Sequence, residues 1–323
     1  MQQVPKYSII IPVYNRPEEV RELLLSLTRQ TINNFEIIII EDGSSVCCDD
    51  VVDEFRDRLL IEYVIKPNSG PGPSRNIGFA RARGSYLVVF DSDCIIPPHY
   101  FEAVEKALQE GAIDAWGGPD KGHKDFTPLQ QAMGYTMSSV LTTGGIRGGK
   151  NSAGSFQPRS FNMGISKEVF RQTGGFKFER LAEDIELSIR MKKMGFRVAL
   201  IPDAFVFHKR RTTLGQFFNQ VHNFGRGRVL VGKAHPGAIK ITHWFPTVFS
   251  FGLVGVLPFL LIEPMVSVGL LAVYGAYFVG IFTDSLLVTR RAAVAFLSIP
   301  SALVQMLGYG LGFLKQWVKT YMR

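Results

Sequence analysis

Two carboxylates separated by one residue, Asp91 and Asp93, suit the coordination of a hard divalent cation. They directly follow an apolar run at 86–90 that is typical of a buried strand. Mg²⁺ and Mn²⁺ prefer carboxylate oxygens and are commonly shared with substrate phosphates. A solvated turn explains the tripeptide when it is considered alone. Its position at the end of a strand favours a metal site for a diphosphate ligand.

A second acidic residue and a glycine-rich loop are candidates for nucleotide recognition. Asp42 ends another apolar run and precedes Gly43, so its carboxylate can accept hydrogen bonds from a base or ribose; taken alone, a simple turn is the better explanation. The loop at 70–76 opens a predicted helix, where Arg75 can present its guanidinium to phosphate. This loop matches neither the Walker nor the dinucleotide-binding pattern, so neither cofactor is predicted.

Two further candidates lie later in the chain. Asp184, preceded by Glu183, can remove a proton from an attacking hydroxyl group while the adjacent carboxylate holds or tunes it. The alternative is a pair of acids that stabilises the start of a helix. His208 closes an apolar run, and its neutral imidazole can serve as a third metal ligand, although a lone histidine is more often structural.

Short β-branched runs alternate with helix-like stretches through the first 110 residues. Strands are predicted at 8–11, 36–40, 61–65 and 86–90, and helices at 17–30, 49–59, 74–83 and 98–110. This alternation predicts a doubly wound α/β domain with a mostly parallel sheet, whose ligands bind beyond the carboxyl ends of the strands. Residues 114–160, rich in Gly, Ser and Thr, are expected to be flexible. Beyond them we expect a strand at 161–165, a helix at 181–194 and an apolar run at 198–207.

The positive charge of the chain is local. The formal net charge is +8, yet residues 1–204 carry 24 Lys and Arg against 26 Asp and Glu. Residues 205–240 carry seven basic residues and no acidic one, and they precede an apolar tail. Nucleic-acid binders usually spread basic residues over a docking face, whereas basic residues beside a membrane favour anionic headgroups and the cytoplasmic side. The charge pattern therefore predicts a membrane partner and no nucleic acid.

Three uncharged runs near the carboxyl end are candidate membrane spans. They comprise residues 244–262, residues 264–284, where the charged Asp284 ends the run, and residues 292–314. About 20 apolar residues suffice to cross a bilayer. Three spans would leave Lys315 and Lys319 on the non-cytoplasmic side, against the usual charge bias, so one segment is a candidate for an interfacial or re-entrant position.

Individual residues in this apolar tail predict how its helices turn and pack. Glu263 and Pro264 are expected to form a tight hairpin, and Gly308, Gly310 and Gly312 to allow close helix packing.

The first apolar run is too short for a secretory signal. Three cysteines, two of them adjacent, provide no disulfide framework, which fits a reducing compartment. We therefore expect a multi-pass protein of the cell membrane with its amino-terminal domain in the cytoplasm.

Four motifs together resemble family 2 glycosyltransferases of the GT-A fold. They are residues 9–16 (Ile-Ile-Ile-Pro-Val-Tyr-Asn-Arg), 41–45 (Glu-Asp-Gly-Ser-Ser), 73–78 (Pro-Ser-Arg-Asn-Ile-Gly) and 90–93 (Phe-Asp-Ser-Asp), in the family's order and spacing. The resemblance covers about residues 4–230 and implies a Rossmann-like GT-A domain that binds a nucleotide-sugar donor. It implies donor-binding roles for Pro12, Tyr14, Asn15, Asp42, Arg75 and Asp91, and metal-binding roles for Asp91, Asp93 and His208.

Later segments extend the resemblance. Gly175, followed by Glu183 and Asp184, looks like the acceptor side of the family, which implies that Asp184 is the general base. Residues 216–228 lack the Gln-x-x-Arg-Trp signature of processive synthases, which puts processivity in doubt. The segment with Arg226 and Arg228 instead resembles membrane transferases of the succinoglycan type, where these arginines would contact a diphosphate or lipid phosphate; an anchor of positive charge is the alternative.

The sequence as a whole predicts an inverting glycosyltransferase that depends on Mn²⁺ or Mg²⁺. It would move one sugar from a nucleotide sugar onto a lipid-linked saccharide for cell-surface polysaccharide. We place the GT-A domain at 1–215, a basic juxtamembrane segment at 216–242 and a transmembrane region at 243–323. The alternatives are transfer to polyprenyl phosphate, which needs no base, a processive synthase, a sugar nucleotidyltransferase and a non-catalytic membrane scaffold.

Overall fold

The computed structural model describes residues 4–122, 126–144, 156–209 and 211–322. Two compact units are formed, one by Met1–His123 with Ser152–Lys209 and one by Lys124–Asn151 with Arg210–Arg323. The strands are β1 (Tyr7–Val13), β2 (Phe35–Asp42), β3 (Ile61–Lys66), β4 (Tyr86–Phe90), β5 (Cys94–Ile95), β6 (Ala115–Gly117), β7 (Asp120–Lys121), β8 (Asn162–Ser166), β9 (Val198–Leu200) and β10 (Val206–His208). The helices are α1 (Pro17–Leu27), α2 (Asp49–Asp53), α3 (Pro71–Arg81), α4 (Tyr100–Glu110), α5 (Pro128–Ser138), α6 (Val140–Thr143), α7 (Lys167–Thr173), α8 (Glu183–Lys193), α9 (Leu214–Ala234), α10 (Phe245–Ile262), α11 (Pro264–Thr289) and α12 (Ala292–Tyr321).

The first unit is built on a seven-stranded sheet in the order β3-β2-β1-β4-β8-β6-β9. The four strands β3, β2, β1 and β4 are parallel to one another. In contrast, β8 runs antiparallel to both of its neighbours, β4 and β6. The predicted α/β domain with a mostly parallel sheet is therefore confirmed, and β8 makes the sheet a mixed one.

The central strands are apolar on both faces because helices cover both sides of the sheet. Ile9 and Ile37 belong to a core that includes residues of α1, α2 and α4. Ile10 and Ile38 belong to a second core that includes residues of α3, α7 and α8. All four isoleucines are fully buried, and each such side chain contributes roughly 1.5–3 kcal/mol to folding. This packing holds the carboxyl ends of the strands in register.

Some elements differ from those predicted. Helix α2 ends at Asp53 instead of continuing to residue 59, and the run at 198–207 forms two short strands, β9 and β10, on either side of the turn at Pro202. The region 114–160, expected to be irregular, contains β6 and the eleven-residue helix α5. A capping box starts α5, since Thr127 and Gln130 each accept a hydrogen bond from the other's backbone N–H. Parts of this region, 123–125 and 145–155, lie outside the described residues.

A smaller sheet has the strand order β5-β10-β7, and its strand β5 comes shortly after β4 in the chain. Its strand β10 is antiparallel to β5 and pairs His208 with Cys94. Because β5 begins directly after Asp93, this pairing brings a residue from position 208 to the acidic end of β4.

The second unit is helical. Glu263 alone joins α10 to α11, which confirms the expected hairpin. The two helices are antiparallel, with the Ser267 hydroxyl donating to the Val256 carbonyl at 2.8 Å and the Tyr274 hydroxyl donating to the Phe249 carbonyl at 2.7 Å. Three helices, Ile241–Ile262, Pro264–Thr289 and Ala292–Tyr321, are long and apolar enough to cross a membrane. The division of the chain at residues 215 and 242 stays a prediction.

Glycines in α12 allow close helix packing, as expected from the sequence. A Cβ added at Gly312 would lie 2.0 Å from the His222 carbonyl oxygen of α9, and one at Gly308 would lie 2.6 Å from a methyl group of Val221. At Gly310, a Cβ would lie 2.4 Å from the Pro246 carbonyl oxygen of α10. Contacts this short leave no room for a side chain unless the backbones separate.

Replacing Gly312 by leucine is therefore expected to destabilise the helical unit by about 3 kcal/mol or more, because the obstructing atom belongs to a backbone. Gly275, on α11, is the matched control, since a Cβ there meets no atom within 4 Å. Thermal unfolding in detergent should show a clear loss of stability for Gly312→Leu and little change for Gly275→Leu. Equal stability of the two variants would contradict the packing described here.

Candidate active site

A buried ion-pair network lies at the carboxyl end of β4. The guanidinium of Arg75, in the first turns of α3, donates to Asp91 Oδ1 at 2.8 Å and to Glu183 Oε1 at 2.7 Å. The Arg75 side chain is 3% exposed, whereas the Asp91 side chain is 32% exposed. The arginine therefore links two distant acidic segments, and Asp91 presents the solvent-accessible side of the network.

The burial of this network changes the acidity of Glu183. Burial and the neighbouring charge of Asp184 raise its pKa more than the Arg75 guanidinium lowers it, so the net shift is upward. Arg75 also lies with its guanidinium carbon 5.3 Å from the centre of the Phe176 ring. Removing the arginine would leave two carboxylates without their shared partner, one of them buried.

Asp93 and His208 form a second polar cluster beside the first. Asp93 Oδ1 and His208 Nε2 are 3.0 Å apart, and Arg16 pairs with the other carboxylate oxygen. Burial raises the pKa of Asp93, but His208 and Arg16 outweigh it and hold that pKa well below its usual range. Burial lowers the pKa of His208, while the hydrogen bond and charge of Asp93 raise it by more.

The donor atoms of this cluster fit a divalent cation. Ligand atoms of Asp93, Cys94 and His208 lie within 4.8 Å of one another, the kind of grouping that can hold a metal ion. Burial and the charges of Asp91 and Asp93 raise the pKa of the Cys94 thiol, so it stays protonated and is a poor ligand for Mg²⁺ or Mn²⁺. With its imidazole neutral, His208 would supply a nitrogen ligand beside a carboxylate oxygen of Asp93. Asp91 is outside this group and pairs with Arg75.

Asp184 lies in the first turn of α8. The helix begins after Ala182, whose φ of 57° lies in the left-handed region. The Asp184 side chain is 15% exposed and accepts a hydrogen bond from the Ile185 N–H at 2.8 Å. Arg159 Nη1 lies 3.6 Å from its second oxygen. The Asp184 side chain is therefore partly exposed and lies beside a cation, one residue after the acid that pairs with Arg75.

Asp42 organises the loop that leads into α3. Its carboxylate accepts hydrogen bonds from the Ser69 N–H at 2.8 Å and the Gly70 N–H at 2.9 Å, and it pairs with Lys66. Burial raises the pKa of Asp42, but Lys66 and the two amides outweigh it and keep that pKa below its usual range. Gly70 has a φ of 97°, which favours glycine. The predicted nucleotide-contacting aspartate thus also shapes the glycine-rich loop.

The loops after β1 and β2 are tied to each other. Asn15 Oδ1 accepts hydrogen bonds from the Ser45 and Val46 N–H groups at 2.8 and 3.1 Å, and the Asn15 N–H donates to Ser44 Oγ at 2.8 Å. Its φ of 53° is uncommon for a residue other than glycine. Neighbouring Tyr14 is 53% exposed at the same edge, and Pro12 is half-buried within β1. The structure therefore gathers these predicted donor-binding residues at one sheet edge.

A clamp fixes the predicted acceptor-side glycine. The Asn76 side chain donates to the Phe176 carbonyl and accepts from the Phe176 N–H, each at 2.8 Å. Arg190 donates to the Gly175 carbonyl at 2.7 Å. Gly175 has a φ of 78°, and a Cβ there would lie 2.2 Å from Asn76 Oδ1. A glycine is required at this position for both reasons.

Two site residues were missed by reasoning from the sequence. Arg16 pairs with Asp93, and Arg159 lies beside Asp184. Arg16 is the last residue of the family motif at 9–16, so the sequence pointed to its position but not to its pairing with Asp93. Arg159 lies in a region without regular patterning, and no local signal identified it.

Arg226 and Arg228 lie in the second unit, on α9, and are half-buried. Arg226 Nη1 donates to Asn223 Oδ1 of the same helix at 3.3 Å. Burial lowers the pKa of the neighbouring His222, and the positive charges of Arg226 and Lys315 lower it further. Burial is the larger cause, and the two cations of α9 and α12 add to it.

A family profile matches the part of the chain that carries much of this site. The Glycosyl transferase family 2 profile matches residues 8–174, slightly more than half of the chain. This chain belongs to glycosyl transferase family 2. The match includes Asp42, Arg75, Asp91 and Asp93, and it supports a transferase enzyme.

Relatives of this family 2 glycosyltransferase are found among bacterial proteins. The probable glycosyltransferase YdaM of Bacillus subtilis is 26% identical over 243 residues, which are 72% of this chain and 57% of YdaM. The putative glycosyltransferase EpsH of the same organism is 37% identical over 101 residues, 31% of this chain and 29% of EpsH. The chain thus spans little more than half the length of YdaM and a smaller part of EpsH.

Solved structures confirm the GT-A fold of the family 2 enzyme. The mannosyltransferase PcManGT from Pyrobaculum calidifontis, in complex with GDP-Man and Mn²⁺, gives a TM-score of 0.61 at 15% identity over 99% of this chain and 89% of that chain. Residues 1–349 of S. aureus TarS, in complex with UDP-GlcNAc, give 0.54 at 18% identity over 98% of this chain and 93% of that chain. At these identities the likeness is one of fold.

Proposed function

We propose that this enzyme transfers a sugar, with inversion, from a nucleoside diphosphate donor to a hydroxyl group of a lipid-linked saccharide. The observation that carries the proposal is the joining of two distant acidic segments through one buried arginine. Arg75 connects Asp91 to Glu183, and Asp184 follows Glu183 directly. An acid that faces the donor and an acid that faces the acceptor are thereby held in one rigid network, which is what positioned transfer chemistry requires.

The donor would bind at the edge formed by the loops after β1, β2 and β4. The hydrogen-bonded loop of Asp42 and the loop that carries Asn15 provide the surface for the nucleoside. Asp91 would contact the ribose, and Asp93 with His208 would hold Mn²⁺ or Mg²⁺. When bound, the cation supplies positive charge that stabilises the leaving diphosphate. PcManGT, which shares the fold, is in complex with GDP-Man and Mn²⁺, and TarS is in complex with UDP-GlcNAc; this supports a nucleotide-sugar donor and a divalent cation here.

On the acceptor side, Asp184 would serve as the general base. Its partly exposed carboxylate would accept the hydroxyl proton while that hydroxyl oxygen forms a bond to the anomeric carbon. The bond from the anomeric carbon to the diphosphate breaks, and its electron pair leaves with the nucleoside diphosphate. A single displacement of this kind inverts the configuration at the anomeric carbon. The clamped loop at Gly175 would form part of the acceptor surface.

Attachment to the cell membrane would bring the enzyme to a lipid-bound acceptor. The long apolar helices and the acid-free basic stretch at 205–240 support this part of the proposal. The usual charge bias favours the cytoplasmic side for α9, and we propose the same side for the catalytic residues. Arg226 and Arg228 would contact a lipid phosphate or diphosphate, in keeping with the positive charge that lowers the pKa of His222.

One observation favours a second candidate, transfer to polyprenyl phosphate. Arg159 lies 3.6 Å from Asp184, and an arginine in that place also suits a phosphate acceptor. An acceptor that is already ionised needs no base. Loss of activity on removal of the Asp184 carboxylate would favour the saccharide hydroxyl, and retained activity would favour the phosphate.

The proposal is tested with detergent-purified protein, a panel of nucleotide sugars and Mn²⁺, Mg²⁺ or a chelator. Asp93→Ala is expected to lose metal-stimulated release of nucleoside diphosphate to background, because it removes the buried carboxylate of the cation cluster. Asp203→Ala is the matched control, since Asp203 is exposed after β9. Metal-stimulated turnover by Asp93→Ala at the control rate would contradict the assigned cation site. Adding membrane lipid extract tests whether turnover needs a lipid acceptor.

A further inference from the structure

We propose that the membrane anchor is the α10–α11 hairpin alone, and that α12 lies at the lipid headgroup layer beside α9 instead of crossing the bilayer. The carboxyl terminus is then on the same side of the membrane as α9. This inference rests on the membrane attachment proposed above. It concerns a helix whose length and hydropathy by themselves would allow a crossing.

Helix α9 packs closely along α12. A Cβ at Gly225 of α9 would lie 2.2 Å from the Tyr309 carbonyl oxygen, and one at Gly312 of α12 would lie 2.0 Å from the His222 carbonyl oxygen. Further toward the start of both helices, Val304 packs against Phe217 and Val221. Helix α9 therefore lies against residues 304–313, which form the second half of the third apolar run.

Helix α9 cannot accompany that run through hydrocarbon. Between Asn219 and Arg228 it carries Gln220, His222, Asn223 and Arg226. Polar and ionisable side chains are costly at membrane depth, where no water satisfies them. Residues 304–313 therefore lie at the depth of a polar helix, near water. The remaining residues, 292–303, would extend only about 18 Å as a helix, short of the roughly 30 Å hydrocarbon core.

The α10–α11 hairpin, in contrast to α12, has the surface of a membrane span. Its far end is apolar and exposed, with Leu257 72%, Leu261 87% and Met265 80% exposed. The 18 residues of α10 extend about 27 Å, close to the thickness of the hydrocarbon core. Glu263 lies at the tip, where it would reach the opposite surface. The hairpin thus presents to lipid the apolar surface that a span needs.

The other end of the hairpin, where α11 meets α12, makes polar contacts. The last turns of α11 carry Asp284, which accepts a hydrogen bond from the Tyr135 hydroxyl of α5. Just beyond them, Arg291 Nη1 donates to Gln131 Oε1 of α5 at 3.0 Å. These polar contacts place the α11–α12 connection near water. Helix α12 thus starts at the membrane surface and continues beside polar α9. Neither half of α12 then crosses the bilayer.

Charge distribution agrees with this arrangement. With two spans, Arg290, Arg291, Lys315 and Lys319 all lie on the side of the basic helix α9, as the positive-inside bias requires. With three spans, Lys315 and Lys319 would lie on the opposite side. The two-span arrangement therefore removes the conflict between the apolar runs and the charge bias.

The test is labelling of single cysteines in the full chain in intact bacterial cells with a membrane-impermeant maleimide. The background carries Cys47→Ser, since Cys48 and Cys94 are buried. Glu263→Cys is expected to react in intact cells. Lys319→Cys and Met322→Cys are expected to react only after permeabilisation, as is the matched control Lys240→Cys, which precedes α10.

Labelling of Lys319→Cys or Met322→Cys in intact cells would overturn the surface position of α12. Failure of Glu263→Cys to react in intact cells would overturn the spanning hairpin. Recovery of the protein in the soluble fraction would instead contradict membrane attachment itself, so the two failures are distinguishable. Two carboxyl-terminal positions are used so that one misfolded variant does not decide the result.

Discussion

Replacing Asp184 by asparagine is expected to lower sugar transfer about 10²–10⁴-fold, the range that a positioned general base contributes. Asparagine has nearly the same shape, and its side-chain oxygen can still accept the Ile185 N–H that Asp184 Oδ1 accepts at 2.8 Å. What is lost is the ability to take the hydroxyl proton. The rate of transfer to a lipid-extract acceptor is the measurement, and donor affinity by calorimetry should be unchanged.

Glu179→Gln is the matched control for the base assignment, since it removes an exposed carboxylate five residues earlier. Its transfer rate should remain near that of the wild type. A folded, donor-binding Asp184→Asn protein that transfers sugar at the wild-type rate would remove Asp184 from the base role. That outcome would favour polyprenyl phosphate as acceptor, because an ionised phosphate attacks without losing a proton.

Replacing Arg75 by methionine is expected to cost about 3–5 kcal/mol of stability, the usual cost of breaking a buried ion pair by removing one partner. The guanidinium is 3% exposed and pairs with Asp91 and Glu183 at 2.8 and 2.7 Å. Methionine fills similar volume but leaves both carboxylates without their partner. We also expect a loss of transfer, because Asp91 and the start of α8 are no longer held together. Chemical unfolding and donor turnover measure the two effects.

Arg81→Met, on the same helix, is the control for the network. Arg81 pairs with Glu62, but both side chains are nearly half exposed, so its loss should change stability by roughly 0–1 kcal/mol. Adding Glu183→Gln to Arg75→Met should recover part of the stability, because one uncompensated buried charge is removed. If Arg75→Met and Arg81→Met were equally stable, the buried network would have no special role.

Local pattern was enough to predict the sheet and its edge. The runs at 8–11, 36–40 and 86–90 are nearly continuously apolar, as expected of strands buried on both faces. Helices between them require parallel pairing, and parallel strands place their carboxyl ends at one edge. The placement of Asn15, Asp42 and Asp91 together follows from that rule. The end of α2 and the presence of α5 were harder to predict from the sequence, because short helices and caps depend on few residues.

Local sequence pattern did not predict the contacts between distant segments, although the family resemblance had implied a shared metal site for Asp93 and His208. Asp93 meets His208 because β10 pairs with β5, a register that no local pattern encodes. Arg75 reaches Glu183, 108 residues away, because α3 and α8 pack on the same face of the sheet. Arg159 lies beside Asp184 although its surroundings have no regular period.

By itself, the sequence determined the fold class, the acidic edge of the sheet, the hairpin turn and the family, because these depend on residue type and short spacing. The tertiary structure decided which charges are paired, since pairing depends on side chains brought together across the sheet. It also decided which apolar helix has polar α9 as its neighbour. Hydropathy reports the composition of α12, whereas its depth in a membrane depends on what packs against it.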